Sequence, residues 1–338
     1  MREIVIPKAG MPEVLTIREA ADPVPGPGEV RIRVRASGVN FADIMARMGL
    51  YPDAPPMPCV VGYEVAGEID ALGEGVTGIE RGMSVLALTR FGGYSEAVVV
   101  PAEQIAAIPE GLSFEKAAAI PVNYLTAWLM LVRLGAVRRG DRVLVHAAAG
   151  GVGQAALQIC LAHGAEVIGT ASAGKHERLQ SLGVSHCIDY RNDDVEAAVA
   201  RITDGRGVDI VLDAVGGKSL RKSYRCLAPL GRLFAFGASS LAPATRRKIV
   251  PAIRGFLAMP RFRAVELMDE NRGVFGVNLG HLWGERRALR AMLEEVLQGV
   301  SAGHYDPVVD RSFSFAQAAA AHAYIQARKN FGKIILIP

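Results

Sequence analysis

"HAAAGGVGQAALQICLAHGAEVIGTASAGKHE", His146 to Glu177, decides the fold. The apolar run Val143 to His146 enters a cluster of small residues, an apolar stretch of helical length follows, and Glu166 to Thr170 forms a second apolar run. Laid on the pattern G-x-G-x-x-G, Ala148 takes the first glycine position, Gly150 the second and Gly153 the third. Gly150 removes a side chain where a pyrophosphate must approach the backbone, and Gly153 lets the helix pack on the strand. The amides at the helix start, from about Gly151 and Val152, then face phosphates with the help of the helix dipole. Glycine triplets alone are weak evidence, since tight turns use glycine for many reasons. Here a strand precedes and a helix follows, the context that makes the turn a dinucleotide site.

One expected residue is missing. Sites for NAD place an acid about 20 positions past the glycines, where it accepts hydrogen bonds from the ribose 2′-hydroxyl. This chain reads Thr170, Ala171, Ser172 there, followed by Lys175. A carboxylate would repel a 2′-phosphate, whereas a hydroxyl and an ammonium donate to its oxygens. Tyr190, just past the third strand, adds a phenol. These residues point to NADPH; the alternative is that Ser172 and Lys175 form only a solvated helix start.

Outward from this stretch, strands are expected at Arg142 to His146, Glu166 to Thr170, Cys187 to Asp189, Asp209 to Asp213, Arg232 to Phe236 and Val274 to Asn278. Strand-helix units of this spacing build a doubly wound parallel sheet. Before the sixth strand the segment 241–272 is inserted. A helix is expected around Glu285 to Gly299, and the strand-like tail Gly332 to Pro338 is too short for a sheet of its own. N-terminal of about Ile120, period-two stretches such as EVRIRVRASG (Glu29 to Gly38) and closely spaced turn residues predict a barrel-like β domain.

The 338 residues suit two domains, and half of them are hydrophobic. A net charge of +4, dispersed along the chain, fits a small anion better than nucleic acid. Cys59, Cys160, Cys187 and Cys226 are far apart and read as free thiols. No unbroken run approaches the ~18 apolar residues of a membrane span, and MREIVIPKAG has no signal-peptide layout, so a soluble, cytoplasmic protein is expected.

"SGVNFADIMARMGLYP", "VNYLTAW", "HAAAGGVG", "GTASAGKHE", "GVDIVLDAVGG", "VFGVNLGHLWGE" and "NFGKIILIP" together resemble the medium-chain dehydrogenase/reductases. Within them the chain is most similar to the zinc-independent quinone oxidoreductase (zeta-crystallin-like) group and its vesicle amine transport protein branch. The resemblance spans essentially the whole chain and is silent about substrate. It implies an α/β protein with a GroES-like β-barrel catalytic domain, 1–121 and 285–338, and a Rossmann NADPH-binding domain, 122–284, with a cleft at their junction. Gly150, Gly151, Val152 and Gly153 match the pyrophosphate turn. Ser172, Lys175 and Tyr190 match the 2′-phosphate group of NADPH, and Asn330 a further cofactor contact. Asn40, Tyr51 and Thr126 match positions lining the nicotinamide and substrate cleft. Met45 departs from the pattern, standing where several quinone reductases have a tyrosine. A homodimer is also implied.

Zinc alcohol dehydrogenases of this fold carry a cysteine after G-V and a histidine in G-H-E; this chain has Asn40 and Tyr63 there, and Glu64 alone cannot hold the metal. No metal is therefore expected. Hydride delivery to the β-carbon of an enone or quinone then suits the site better than alcohol oxidation, with the Asn40 amide and Tyr51 hydroxyl as donors to the developing oxyanion. Backbone amides are rival donors, and Tyr51 or a water would relay the proton. Two other readings stand beside a reductase of small apolar quinones or carbonyls: an enoyl-thioester reductase, and a vesicle-associated or structural protein that retains NADPH with little turnover. In the inserted segment Arg246, Arg247, Lys248, Arg254, Arg261 and Arg263 alternate with apolar residues, interrupted by Pro251 and Pro260. It reads as a cap over the cleft or a subunit contact, with a lipid surface or a disordered loop as alternatives.

Overall fold

The computed structural model describes residues 1–241 and 259–338. Two compact units form: Met1–Leu125 with Leu279–Pro338, and the described residues between Thr126 and Asn278.

The first unit is β-rich: β1 (Arg2–Val5), β2 (Thr16–Glu19), β3 (Glu29–Val39), β4 (Glu64–Leu72), β5 (Ser84–Leu88), β6 (Ala97–Pro101), β7 (Ile105–Ala107), β14 (Val309–Ser314) and β15 (Lys333–Ile337). β3 is its spine. Val30, Ile32, Val34 and Ala36 point inward. The intervening Arg31 and Arg33 pair with Asp70 at 2.7 Å each, so the alternation is satisfied on both faces. From Ser37 the strand is buried on both sides, because the C-terminal tail returns as β15 and pairs antiparallel with it, Leu336 opposite Ser37 and Ile334 opposite Val39. The sheet runs β14-β15-β3-β4-β5-β7 with β6 also on β3, the β-rich unit expected for this part of the chain. β14 and the helix Ala318–Gln326 are additions to the expected elements. β14 is a half-exposed edge strand without clean alternation, and the helix is mostly alanine, so neither carries a strong periodic signal.

The second unit is a parallel sheet, β8 (Arg142–Val145), β9 (Glu166–Ala171), β10 (His186–Asp189), β11 (Val208–Asp213), β12 (Leu227–Ala235) and β13 (Gly273–Gly276), in the order β10-β9-β8-β11-β12-β13. This is the Rossmann order, with its switch point between β8 and β11. The expected strands are all present, most within one or two residues; β12 starts well ahead of Arg232, at Leu227, because Leu227 pairs with Val208 ahead of an irregularity in register. Most of the inserted segment, including Arg246, Arg247, Lys248 and Arg254, lies outside the described residues, and with it the expected cap, contact or lipid surface. At its described end Phe262 packs on Tyr224, ring centres 5.1 Å apart, and the helix Ala264–Glu270 leads into β13.

The four cysteines are free, and all but Cys187 are buried. One stretch, Phe114–Leu134, is long and apolar enough to cross a membrane at a mean hydropathy of 1.4, which a search for unbroken apolar runs misses because Glu115, Lys116 and Asn123 interrupt it. It is 72% buried and broken into the helices Phe114–Ala117 and Pro121–Trp128 and a π-helical turn, as suits a core element.

A buried polar network fastens the first unit. Asp43 Oδ2 accepts from the Asn40 amide at 2.8 Å and the Tyr94 hydroxyl at 3.1 Å, and its Oδ1 accepts from the Gly62 amide at 3.1 Å. Tyr94 has given its only hydrogen to Asp43, so it accepts from His322 Nε2 at 3.1 Å. Burial raises the Asp43 carboxyl to about 7 against the pull of these donors, and lowers the His322 imidazole to about 3. A carboxyl raised on folding holds its proton longer in the native state, so its stabilising contribution is full below about 4 and is lost as pH rises through about 7. Asp43→Asn removes this titration. The stability of the wild type relative to that variant, from urea unfolding, is expected to fall steadily between pH 4 and 7; a difference flat across that range contradicts the assignment.

Candidate functional site

β8 ends at Val145 and the chain turns through His146 to Ala149 into the helix Gly151–Ala162. Ala147 adopts φ +53°, a conformation costly for a residue with a Cβ. The first helical hydrogen bond runs from Gln154 N to Gly150 O at 2.9 Å, so the amides of Gly151, Val152 and Gly153 precede the helical ladder. A Cβ on Gly153 would lie 2.5 Å from Ala147 O and 2.6 Å from Ala148 O, both backbone, and nothing there can yield. A Cβ on Gly150 would meet only Ala147 O, at 3.2 Å, and would fill the approach to the helix start. Gly153 is thus fixed by packing, while Gly150 leaves open the space a phosphate needs; the turn fits a dinucleotide.

At the far end of the same face, Ala171 on β9 is in register with Asp189 on β10. Ser172 and Tyr190 are the next residues on these neighbouring strands, and the structure brings them to adjacent strand ends. Ser172 starts the single turn Ala173–Lys175, closed by Lys175 N to Ser172 O at 2.9 Å. Asp189, the acid nearest this end, accepts from Arg191 N at 3.2 Å and Asn192 Nδ2 at 2.6 Å inside its own turn.

In the first unit, Asn40 stands at the end of β3 beside two charged residues far from it in the chain. Its Nδ2 donates to Glu64 Oε1 at 2.9 Å, its Oδ1 accepts from Lys333 Nζ at 2.7 Å, and Lys333 also pairs with Glu64 Oε1. Glu64 Oε2 accepts from Val122 N at 2.7 Å, at the start of the helix Pro121–Trp128 where the dipole favours a carboxylate. Glu64 and Lys333 are 0% and 3% exposed, so this is a buried ion pair closed by an amide. The pair also requires Gly38 to lack a side chain: a Cβ there would lie 2.5 Å from Glu64 Oε1 and 2.7 Å from Lys333 Cε. Tyr51 is half-buried and packs edge-on to Tyr63, centroids 6.3 Å apart. Tyr63 is pushed far above the usual phenol range by burial, then by Tyr51 and Asp43. Asn330 Nδ2 donates to Gly332 O at 3.0 Å, bracing the entry to β15. Thr126 is buried on the helix Pro121–Trp128, and Met45 in the helix Phe41–Arg47.

Residues 26–110 match the alcohol dehydrogenase GroES-like domain, and residues 182–336 match the family described as zinc-binding dehydrogenase. The human synaptic vesicle membrane protein VAT-1 homolog is 42% identical over 325 residues, 96% of this chain and 82% of that protein. The chain belongs to the medium-chain dehydrogenase/reductase superfamily. Quinone oxidoreductase of Escherichia coli, solved in complex with NADPH, is 30% identical with a TM-score of 0.88 over all of both chains. CurK enoyl reductase is 31% identical with a TM-score of 0.86, over 99% of this chain and 98% of that one. The chain fits the zinc-independent quinone oxidoreductase group, and is an oxidoreductase that binds a pyridine nucleotide.

Its donor set does not fit the zinc of the family description. Asn40 and Tyr63 are poor ligands, and Glu64 is already neutralised by an ammonium that would repel a second cation. Among the described residues no three His, Cys, Asp or Glu side chains gather around a possible metal position.

Breaking a buried pair strands a charge. Lys333→Met or Glu64→Gln is expected to cost about 3–5 kcal/mol in urea unfolding, and the double variant less than the sum, because neither charge is left alone. Additive losses would show that the two groups do not act as a pair.

Proposed function

We propose that the protein is an NADPH-dependent reductase that delivers hydride, without a metal, to a quinone or an α,β-unsaturated carbonyl compound. The observation that carries the cofactor choice is the end of β9, where Ser172 and Lys175 stand in place of a carboxylate, with Tyr190 at the neighbouring strand end. Two hydroxyls and an ammonium supply donors for a 2′-phosphate, and no acid at that position opposes it. The similarity to an NADPH-bound quinone oxidoreductase supports the same reading.

A dinucleotide held by its pyrophosphate at the glycine turn would supply the hydride from its nicotinamide. The acceptor carbon of an enone or quinone is already electrophilic through conjugation, so the protein's task is to stabilise the oxyanion that develops. Lys333 draws electron density from Asn40 Oδ1, which makes the Nδ2 hydrogens better donors. One is held by Glu64; the other is aimed at Gly38 O, with Nδ2 3.5 Å from that oxygen at the outer limit of a hydrogen bond, and is the one we assign to a substrate oxygen. Asn40 is the proposed oxyanion donor, Tyr51 the proposed proton source, and Thr126 a proposed lining residue. A second reading, reduction of an enoyl thioester, is favoured by the similarity to CurK enoyl reductase.

Purified protein assayed for NADPH oxidation with quinones, enones and enoyl thioesters is expected to turn over the first two classes faster. Preference for the thioesters selects the second reading, and tight NADPH binding without turnover overturns both. Titration calorimetry is expected to show NADPH bound more tightly than NADH, with Lys175→Ala lowering NADPH affinity about tenfold, one charge-assisted hydrogen bond, and leaving NADH unchanged. A native preference for NADH refutes the phosphate assignment.

A further inference from the structure

Beneath the glycine turn lies a buried polar chain that the readings above do not use. His146, the first residue of the turn, sits between Thr170 on β9 and Ser223 on the helix Ser219–Arg225. Its Nδ1 is 3.2 Å from Thr170 Oγ1, and its Nε2 is 3.0 Å from Ser223 Oγ. Ser223 donates to Asp213 Oδ2 at 2.6 Å, and Asp213 Oδ1 accepts from the amides of Val215 at 2.7 Å and Gly216 at 2.9 Å. At the other end, the amide of Ala147 donates to Thr170 Oγ1 at 3.3 Å. All four side chains are buried.

Counting hydrogens fixes the direction of every bond. Ser223 has one hydrogen and gives it to the carboxylate of Asp213, so it must accept from His146 Nε2–H. Burial disfavours the charged imidazole, Asp213 opposing in part, and a neutral ring with its hydrogen on Nε2 leaves Nδ1 as an acceptor. Thr170 therefore donates to Nδ1, and its oxygen accepts from Ala147 N. The chain runs one way, from the backbone of the turn to the end of β11, and it admits one tautomer of His146.

Its backbone terminus is the residue whose conformation needs support. Ala147 holds φ +53°, and its carbonyl accepts from Gly150 N at 2.8 Å and lies 2.5 Å from where a Cβ on Gly153 would stand. Where Ala147 points determines where the amides of Gly151 to Gly153 point. We propose that His146 is a positioning residue for dinucleotide binding: through Thr170 it holds Ala147 in its left-handed conformation and so presets the amides that receive the pyrophosphate. The proposal rests on the reading of this turn as the dinucleotide site. Because the pyrophosphate is common to both cofactors, the chain acts on NADPH and NADH alike, unlike Lys175.

Thr170→Val removes the hydroxyl and keeps the shape; Ser223→Ala breaks the chain on the other side of His146; Thr170→Ser keeps it whole. By titration calorimetry, Thr170→Val and Ser223→Ala are each expected to weaken NADPH and NADH by the same factor, about three- to tenfold, the loss of one hydrogen bond. Thr170→Ser is expected to bind like the wild type, and the double variant Thr170→Val/Ser223→Ala to lose no more than the weaker-binding single, since both break one chain. Wild-type affinity in either folded single variant, a loss confined to NADPH, or additive losses in the double would overturn the positioning role. A wild type that binds neither dinucleotide would overturn the cofactor reading together with it.

Discussion

A helix can begin directly behind a parallel strand only if the turn between them carries no side chain at the point of closest approach. In this protein that constraint falls on Gly153, whose α-carbon lies where any Cβ would touch two carbonyl oxygens. Once the helix is set that close to β8, its leading amides stand at the carboxyl edge of the sheet beside the switch point between β8 and β11. The left-handed Ala147, the open side of Gly150 and the approach of Ala148 N to Thr170 O at 3.1 Å are consequences of fitting a strand, a turn and a helix into that space.

In the first unit the corresponding constraint is electrostatic. A buried carboxylate must be paired or lose its charge, and Glu64 is met by an ammonium, an amide and a backbone N–H. That demand reaches far along the chain. It brings Lys333 from the last strand onto β3, requires Gly38 to lack a side chain, and sets the orientation of the Asn40 amide. Asp43 holds the same loop from the other side through the Asn40 backbone. Asn40 is therefore held through its side chain by the Glu64–Lys333 pair and through its backbone by Asp43, which makes it a donor of fixed geometry where a solvent-exposed amide would rotate.

Much of this was legible in the sequence. The Rossmann strands could be read because each is a short apolar run bounded by turn residues, and the glycine turn because its spacing is dictated by contacts within some ten residues. Ser172 and Tyr190 could be placed because each lies within two residues of the end of an expected strand. Lys333 could not be joined to Glu64, since the pairing depends on β15 lying beside β3, and nothing local in "NFGKIILIP" says which strand the tail will meet. The same holds for His322 and Tyr94, and for His146 with Ser223: polar residues inside apolar segments announce a buried network without naming its members. β14 was missed for a different reason, since an edge strand half open to solvent has little hydrophobic period to read.

Specificity at the ribose end depends as much on where negative charge is withheld as on where positive charge is offered. The third strand ends on an acid, Asp189, one position before Tyr190. Left unengaged, a carboxylate so close would act against a 2′-phosphate much as an acid at the end of β9 does in NAD sites. Here its oxygens accept from Arg191 N and Asn192 Nδ2, and its own amide donates to Asp193 Oδ2 at 3.1 Å, so the carboxylate closes its own turn. The proposed 2′-phosphate site therefore turns on Tyr190, the half-buried residue after this acid, and on Ser172 and Lys175 of the neighbouring turn, while the acid itself is engaged by its own turn.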